Sequence, residues 1–174
     1  MDECRIGLAA LRHALEEFVA PAVDASDPIA AEQLVSGVRY LDFVIDRIDL
    51  IHDRERFELA QASRLVIGLL DAGASELAGS AEWARTVDSA RATLARPDSR
   101  VAELRTSTAE LRAAVREILD EASAELNAKL RSLVVADAKE IATFERAWYA
   151  PLGFDTDPAT LPDIEDVLEG SVQA

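Results

Sequence analysis

The stretch YLDFVIDRIDLIHDRERFE, Tyr40 to Glu58, carries four aspartates, one of the chain's two histidines and a full set of aliphatic residues. On a helical wheel of about 100° per residue, Leu41, Val44, Ile45, Ile48 and Ile51 occupy one broad arc, which must face a core. His52 falls at the edge of that arc. Asp42, Asp46, Asp49 and Asp53 follow at intervals of four, three and four on a flanking stripe. Phe43, Leu50 and Phe57 recur every seven residues on the side opposite the core. A helix with three distinct faces needs neighbours on two sides, and this places it inside a helical bundle.

The same pattern extends in both directions. Upstream, Cys4, Leu8, Leu11, Leu15 and Phe18 alternate four and three apart and predict a first helix from Asp2 to about Ala20 with one core-facing seam. Pro21 ends it. Asp27 before Pro28 is a helix start, with a side-chain acceptor at the cap followed by a residue that needs no donor. From Pro28 to about Leu70 no proline intervenes. The seam Leu34, Val38, Leu41, Ile45, Ile48, His52 continues through Glu55 to Leu59, Ala62, Val66 and Leu69. An unbroken helix here would exceed about 60 Å, so either a long bundle or a break near Asp53 is expected. The charge at Glu55 marks the same region.

Downstream, Ser80 is expected to cap a short helix carrying Trp83, Val87, Ala90 and Leu94, which Pro97 stops. Asp98 to about Tyr149 forms another long region, with Leu104, Leu111, Val115, Ile118, Ala122 and Leu126 on one face. Its expected interruption lies between Asn127 and Ala138. Pro151 and Gly153 end the helical part. The fold class is therefore all-α: an antiparallel bundle of four to six helices with long central helices, residues 1–149, followed by an acidic tail, residues 150–174. Asp163 and Gly170 bracket a possible short helix at 163–169, whose edge of Ile164, Val167 and Leu168 would dock on the bundle or on a protein partner.

Composition narrows the function. Scarce glycine and proline, 7 and 6 in 174 residues, suit helix throughout. A net charge of -15 disfavours nucleic acid and anionic membranes as partners. The tail from Ala150 to Ala174 holds six acids and no base, so the rest still carries -9. No window approaches the roughly 20 apolar residues of a membrane helix, and the amino-terminal residues lack a signal-like apolar run. A cytoplasmic location is the default. The single cysteine, Cys4, allows no intrachain disulfide.

Several chemistries lack their parts. There is no glycine-rich phosphate loop, no paired-cysteine zinc spacing and no glycine-flanked nucleophilic serine. Asp49-x-x-His52 supplies one acid-His pair of the kind a di-metal bundle uses, but such a centre needs two. In an antiparallel hairpin turning near Asp24, His13 lies level with Val35, leaving His52 about 25 Å away. No catalytic residue, metal or cofactor is therefore assigned.

The aspartate stripe costs roughly 0.2–0.5 kcal/mol per like-charged pair and calls for compensation. Arg105, Arg112 and Arg116 form a basic stripe at matching intervals and are its expected partners. His52 is expected to be a boundary histidine bonded to Asp49 or to a backbone carbonyl. The favoured function is a non-enzymatic interaction or accessory protein that forms a homo-oligomer, with Phe43, Leu50 and Phe57 as the contact surface between copies. The alternative is a small-molecule-binding bundle with an apolar cavity beside His52 and a polar end made by Asp49, His52 and Asp53. A metal-dependent enzyme using Asp49 and His52 is the third.

Overall fold

In the computed structural model the described residues are 3–172, and every regular element among them is helical. Asp2, the expected first helical residue, and the last two tail positions lie outside them. The helices are α1 (Glu3–Ala14), α2 (Pro28–Arg47), α3 (Ile51–Asp71), α4 (Ser80–Ala95), α5 (Val101–Glu121), α6 (Ala124–Tyr149) and α7 (Ile164–Val172). None of them is long and apolar enough to cross a membrane. The chain divides into two compact units, residues 1–50 with 146–161 and residues 51–145 with 162–174. These units cut across the boundary expected at 149/150.

In the first unit, α1 runs on through a π-helical turn, Leu15–Val19, and a 3-10 turn, Ala20–Ala22. Asp27 caps α2: its Oδ1 accepts from the backbone N–H groups of Ile29 and Ala30 at 3.1 and 3.0 Å. Pro28 follows at the first helical position, where a missing donor costs nothing. α1 packs on α2, yet no residue of α1 is buried. Leu8 and Leu15 of the expected seam are half-covered, whereas Leu11 and Phe18 are 49% and 71% exposed. Two helices make a single layer, and a single layer cannot enclose a seam.

Between α2 and α3 the chain tightens into a 3-10 turn at Ile48–Leu50, one turn before the break expected near Asp53. Glu55 is no breaker. It is buried within α3 and held by Arg105.

The second unit has the main core. Leu59, Val66 and Leu69 of α3, Trp83 and Ala90 of α4, Leu104, Leu111 and Ile118 of α5, and Leu130 of α6 are almost completely buried together. Each large apolar side chain contributes roughly 1.5–3 kcal/mol by leaving water. These are largely the residues that the three-four periodicity assigns to seams. Gly73, with φ of 129°, turns the chain after α3 in a conformation that side chains rarely adopt.

Two helix boundaries differ from the expected ones. Ser80 lies inside α4, and Gly79 stands at its cap without a side-chain bond. Trp83 explains the glycine: a Cβ at position 79 would come within 2.4 Å of the indole ring. The long region 98–149 breaks between Glu121 and Ala124, not between Asn127 and Ala138. There the Ser123 hydroxyl accepts from Leu126 N–H, and the Asn127 amide donates to the Leu119 carbonyl at the end of α5. Side chains thus satisfy backbone groups that both helix ends leave open.

In the tail, Asp163 caps α7 by accepting from Glu165 N–H at 2.8 Å. Ile164 and Leu168 are buried and α7 packs on α3, so the edge that could have met a foreign partner is covered by the same chain.

Candidate functional site

Along α3, residues three and four apart share a face. Arg54, Glu58, Gln61 and Leu65 form such a row, beside the core row of Leu59, Ala62 and Val66. That row faces α6. The ring of Phe57 stacks on Phe144 with centroids 4.2 Å apart. Arg54 donates to Glu58 at 3.0 Å and to Glu145 at 2.7 Å, and its guanidinium lies 5.7 Å above the centre of the Phe144 ring. Glu58 also accepts from Arg112 of α5 at 2.9 Å.

Between these contacts α3, α5 and α6 enclose a cavity of about 110 Å³. Its walls are Phe57, Ala62, Leu65, Val115, Ile141 and Phe144, with Gln61, Asp137, Glu58, Arg112 and Glu145 as polar members. Arg112 is half exposed, whereas Gln61 is 2% exposed. Burial pushes the Asp137 carboxyl above its ordinary range, and Glu140 adds to this; a hydrogen bond from Gln61 and the charges of Arg64 and Arg112 oppose it. An apolar space with a few convergent polar groups has the lining of a small-molecule site, at a volume well below the roughly 300–1,000 Å³ of most such sites. A second concavity, over Trp83, Thr86 and Ser89 of α4 and Glu110 and Glu117 of α5, is shallower and more polar.

The residues singled out in the sequence take other positions. The four aspartates fall on different elements: Asp42 and Asp46 on α2, Asp49 in the 3-10 turn and Asp53 on α3. Asp42 pairs with Arg12, and Asp49 accepts from Arg5 at 2.8 Å. Asp46 is exposed, and Asp53 lies 3.7 Å from His52 Nδ1. The expected pairing with the basic stripe is corrected here. Arg105 and Arg112 meet Glu55 and Glu58 of α3 instead, and Arg116 is exposed. Glu55 and Glu58 of α3 lie within reach of α5.

His52 is partly buried, and its Nε2 lies 2.9 Å from the Ser99 carbonyl. A carbonyl only accepts, so Nε2 carries the proton. The ring fastens α3 to the turn before α5; Asp49, bonded to Arg5, is not its partner. The cavity does not open beside His52, so the expected polar end of Asp49, His52 and Asp53 is not the cavity's. Among the described residues no group of three His, Cys, Asp or Glu side chains could hold a metal ion.

Phe43 and Phe57 are both buried within their own units, and Leu50 is partly covered. Phe43 stacks on Tyr149, 5.5 Å between centroids, and leans on Tyr40. Phe43 and Phe57 therefore belong to intramolecular packing. Gln61 and Asp137 went unnoticed in the sequence. Gln61 could have been found as the polar member of the row Glu58, Gln61, Leu65, whereas Asp137 lies in the segment read as an interruption.

No protein-family model, no curated protein and no solved structure matches this chain.

Proposed function

We propose that the chain is a non-enzymatic helical interaction protein that pairs with a second copy of itself through the outward face of α1 and α2. One observation carries this reading: no residue of α1 is fully buried, and large apolar side chains of α1 and of the turn after it stand exposed. Leu11 of α1 and Phe18 of the π-helical turn are exposed, and so are Ile6 and Val19. On α2, Ile29 and Tyr40 share a face eleven residues apart, and Val35 is also exposed.

Beside α1 part of the acidic charge is balanced locally, while the net charge of -15 still opposes self-pairing. Arg5 and Arg12 already neutralise Asp49 and Asp42 within the chain. The antiparallel course of the bundle belongs to the same reading. It is supported by α3 meeting α6 in opposite register, Arg54 with Glu145 and Gln61 with Glu140.

The test is a double substitution, Leu11→Glu with Phe18→Glu. Both side chains are already largely exposed, so the fold should persist and only association should change. Light scattering should give a dimer for the wild type and a monomer for the variant, with equal helical circular dichroism. Equal masses for the two would contradict the proposal.

A further inference from the structure

The cavity between α3, α5 and α6 bears on a different activity. Gln61 lines it, is almost fully buried, and its Oε1 meets no hydrogen-bond donor among the described residues. The same amide's Nε2 is only 3.5 Å from Glu140 Oε2, at the outer limit of a hydrogen bond. An amide oxygen buried without a donor costs about 1–3 kcal/mol, so its persistence in a native fold calls for a partner. The next polar group on the wall is Asp137, also an acceptor when ionised.

The cation on the cavity wall, Arg112, and its neighbour Arg54 are already engaged, and Arg64 is exposed. Arg112 is held by Glu58, and Arg54 by Glu58 and Glu145. Gln61 Oε1 is therefore an acceptor without a donor, beside an Asp137 carboxylate that takes one hydrogen bond from the same amide's nitrogen and has lone pairs to spare. A bound group that satisfies both must donate more than once, and beside a carboxylate a positive charge is favoured. An alkylammonium supplies three donors and one charge. A carboxylate or phosphate ligand would face the carboxylates of Asp137, Glu58 and Glu145, with Arg112 already held by Glu58.

Volume fixes the body of the ligand. An apolar cavity of about 150 Å³ takes benzene, with six carbons. The present 110 Å³ takes about four to five non-hydrogen atoms. We infer that this cavity binds a small primary alkylamine, its ammonium on Gln61 and Asp137 and its branched hydrocarbon against Phe57, Leu65, Val115 and Phe144.

Isobutylamine is the probe. Titrated into ¹⁵N-labelled full-length protein near neutral pH, it should shift the Gln61 side-chain amide signals and the backbone signals of α3 and α6 in a saturable way. Isobutanol, of the same shape without the charge, and isobutyrate, of opposite charge, should bind at least about tenfold more weakly. Asp137→Asn should weaken isobutylamine at least about tenfold with circular dichroism unchanged. Gln61→Met, which keeps the side chain's bulk and removes the acceptor, should do the same. Ala62→Leu, which fills the apolar end, should abolish binding. Failure of isobutylamine to saturate any signal overturns the inference. So does equal binding of isobutanol or isobutyrate, or undiminished amine binding by folded Asp137→Asn and Gln61→Met variants.

Discussion

Glu55 and Arg105 form an ion pair in which the carboxylate is buried and the guanidinium is not. Oε1 lies 2.7 Å from Nη2 and 2.8 Å from Nε, and the two side chains are 9% and 62% exposed respectively. The hydrogen bond to Glu55 and its charge hold the Arg105 pKa above the ordinary value. Removing the arginine strands a buried carboxylate, but water reaches the arginine side and limits the loss. Arg105→Ala should cost about 1–2 kcal/mol in urea unfolding, below the roughly 3–5 kcal/mol of a fully buried pair. The double variant Glu55→Leu with Arg105→Leu should lie closer to the wild type than Arg105→Ala does. If the single arginine variant were as stable as the wild type, the pair would have no structural weight.

Gly79 should not tolerate alanine. Its φ of -75° is ordinary, so the obstacle is space and not backbone strain. The added Cβ would displace the Trp83 ring, whose Nε1 donates to Glu117 at 3.1 Å. Gly79→Ala should destabilise by about 1–3 kcal/mol, the usual range for overpacking. Tryptophan fluorescence should report a changed environment for Trp83. Unchanged stability and emission would show that the ring moves aside without cost.

Asp137→Asn should stabilise the unliganded protein at neutral pH. The sign follows from burial, which raises the folded-state pKa of this carboxyl above its ordinary value. The unfolded chain then loses the proton more readily, so this group's contribution to stability is greatest below the ordinary carboxylate range. It is lost as pH rises through the raised value. The gain from asparagine should be present at pH 7 and vanish near pH 3 in thermal unfolding. A loss of stability at pH 7 would mean that the ionised carboxylate is better solvated than its position implies.

Asp155 runs the opposite way. Arg146 donates to it twice, at 2.8 and 3.0 Å, and Asp157 N–H adds a third bond, which together hold its pKa at about 2. A depressed folded-state pKa gives stability that is present above the ordinary value near 4 and lost as pH falls towards 2. A carboxyl-carbon NMR titration should give a midpoint near 2 for Asp155 in the wild type and a higher one in Arg146→Gln. An unmoved midpoint would remove Arg146 as the principal cause.

The all-helical fold was legible because its core residues keep helical spacing over long runs. Leu59, Ala62, Val66 and Leu69, or Trp83, Val87 and Ala90, need no knowledge of distant contacts. Boundaries were harder where the deciding partner lies far along the chain. Glu55 resembles a seam defect until Arg105, 50 residues on, is brought beside it. Ile48–Leu50 carries no proline or glycine, so its 3-10 turn has no local signature. Leu11 and Phe18 show the reverse: their spacing reads as core, yet their own unit supplies no second layer to cover them. The cavity was not legible at all, since it depends on Gln61 and Asp137 meeting across elements that the sequence does not register against each other.

The claim that this chain works as a self-pairing protein is tested most directly by sedimentation equilibrium of the wild type over a wide concentration range. The account predicts a mass rising with concentration to twice the 18.9 kDa of one chain. A mass that stays at 18.9 kDa throughout would contradict it.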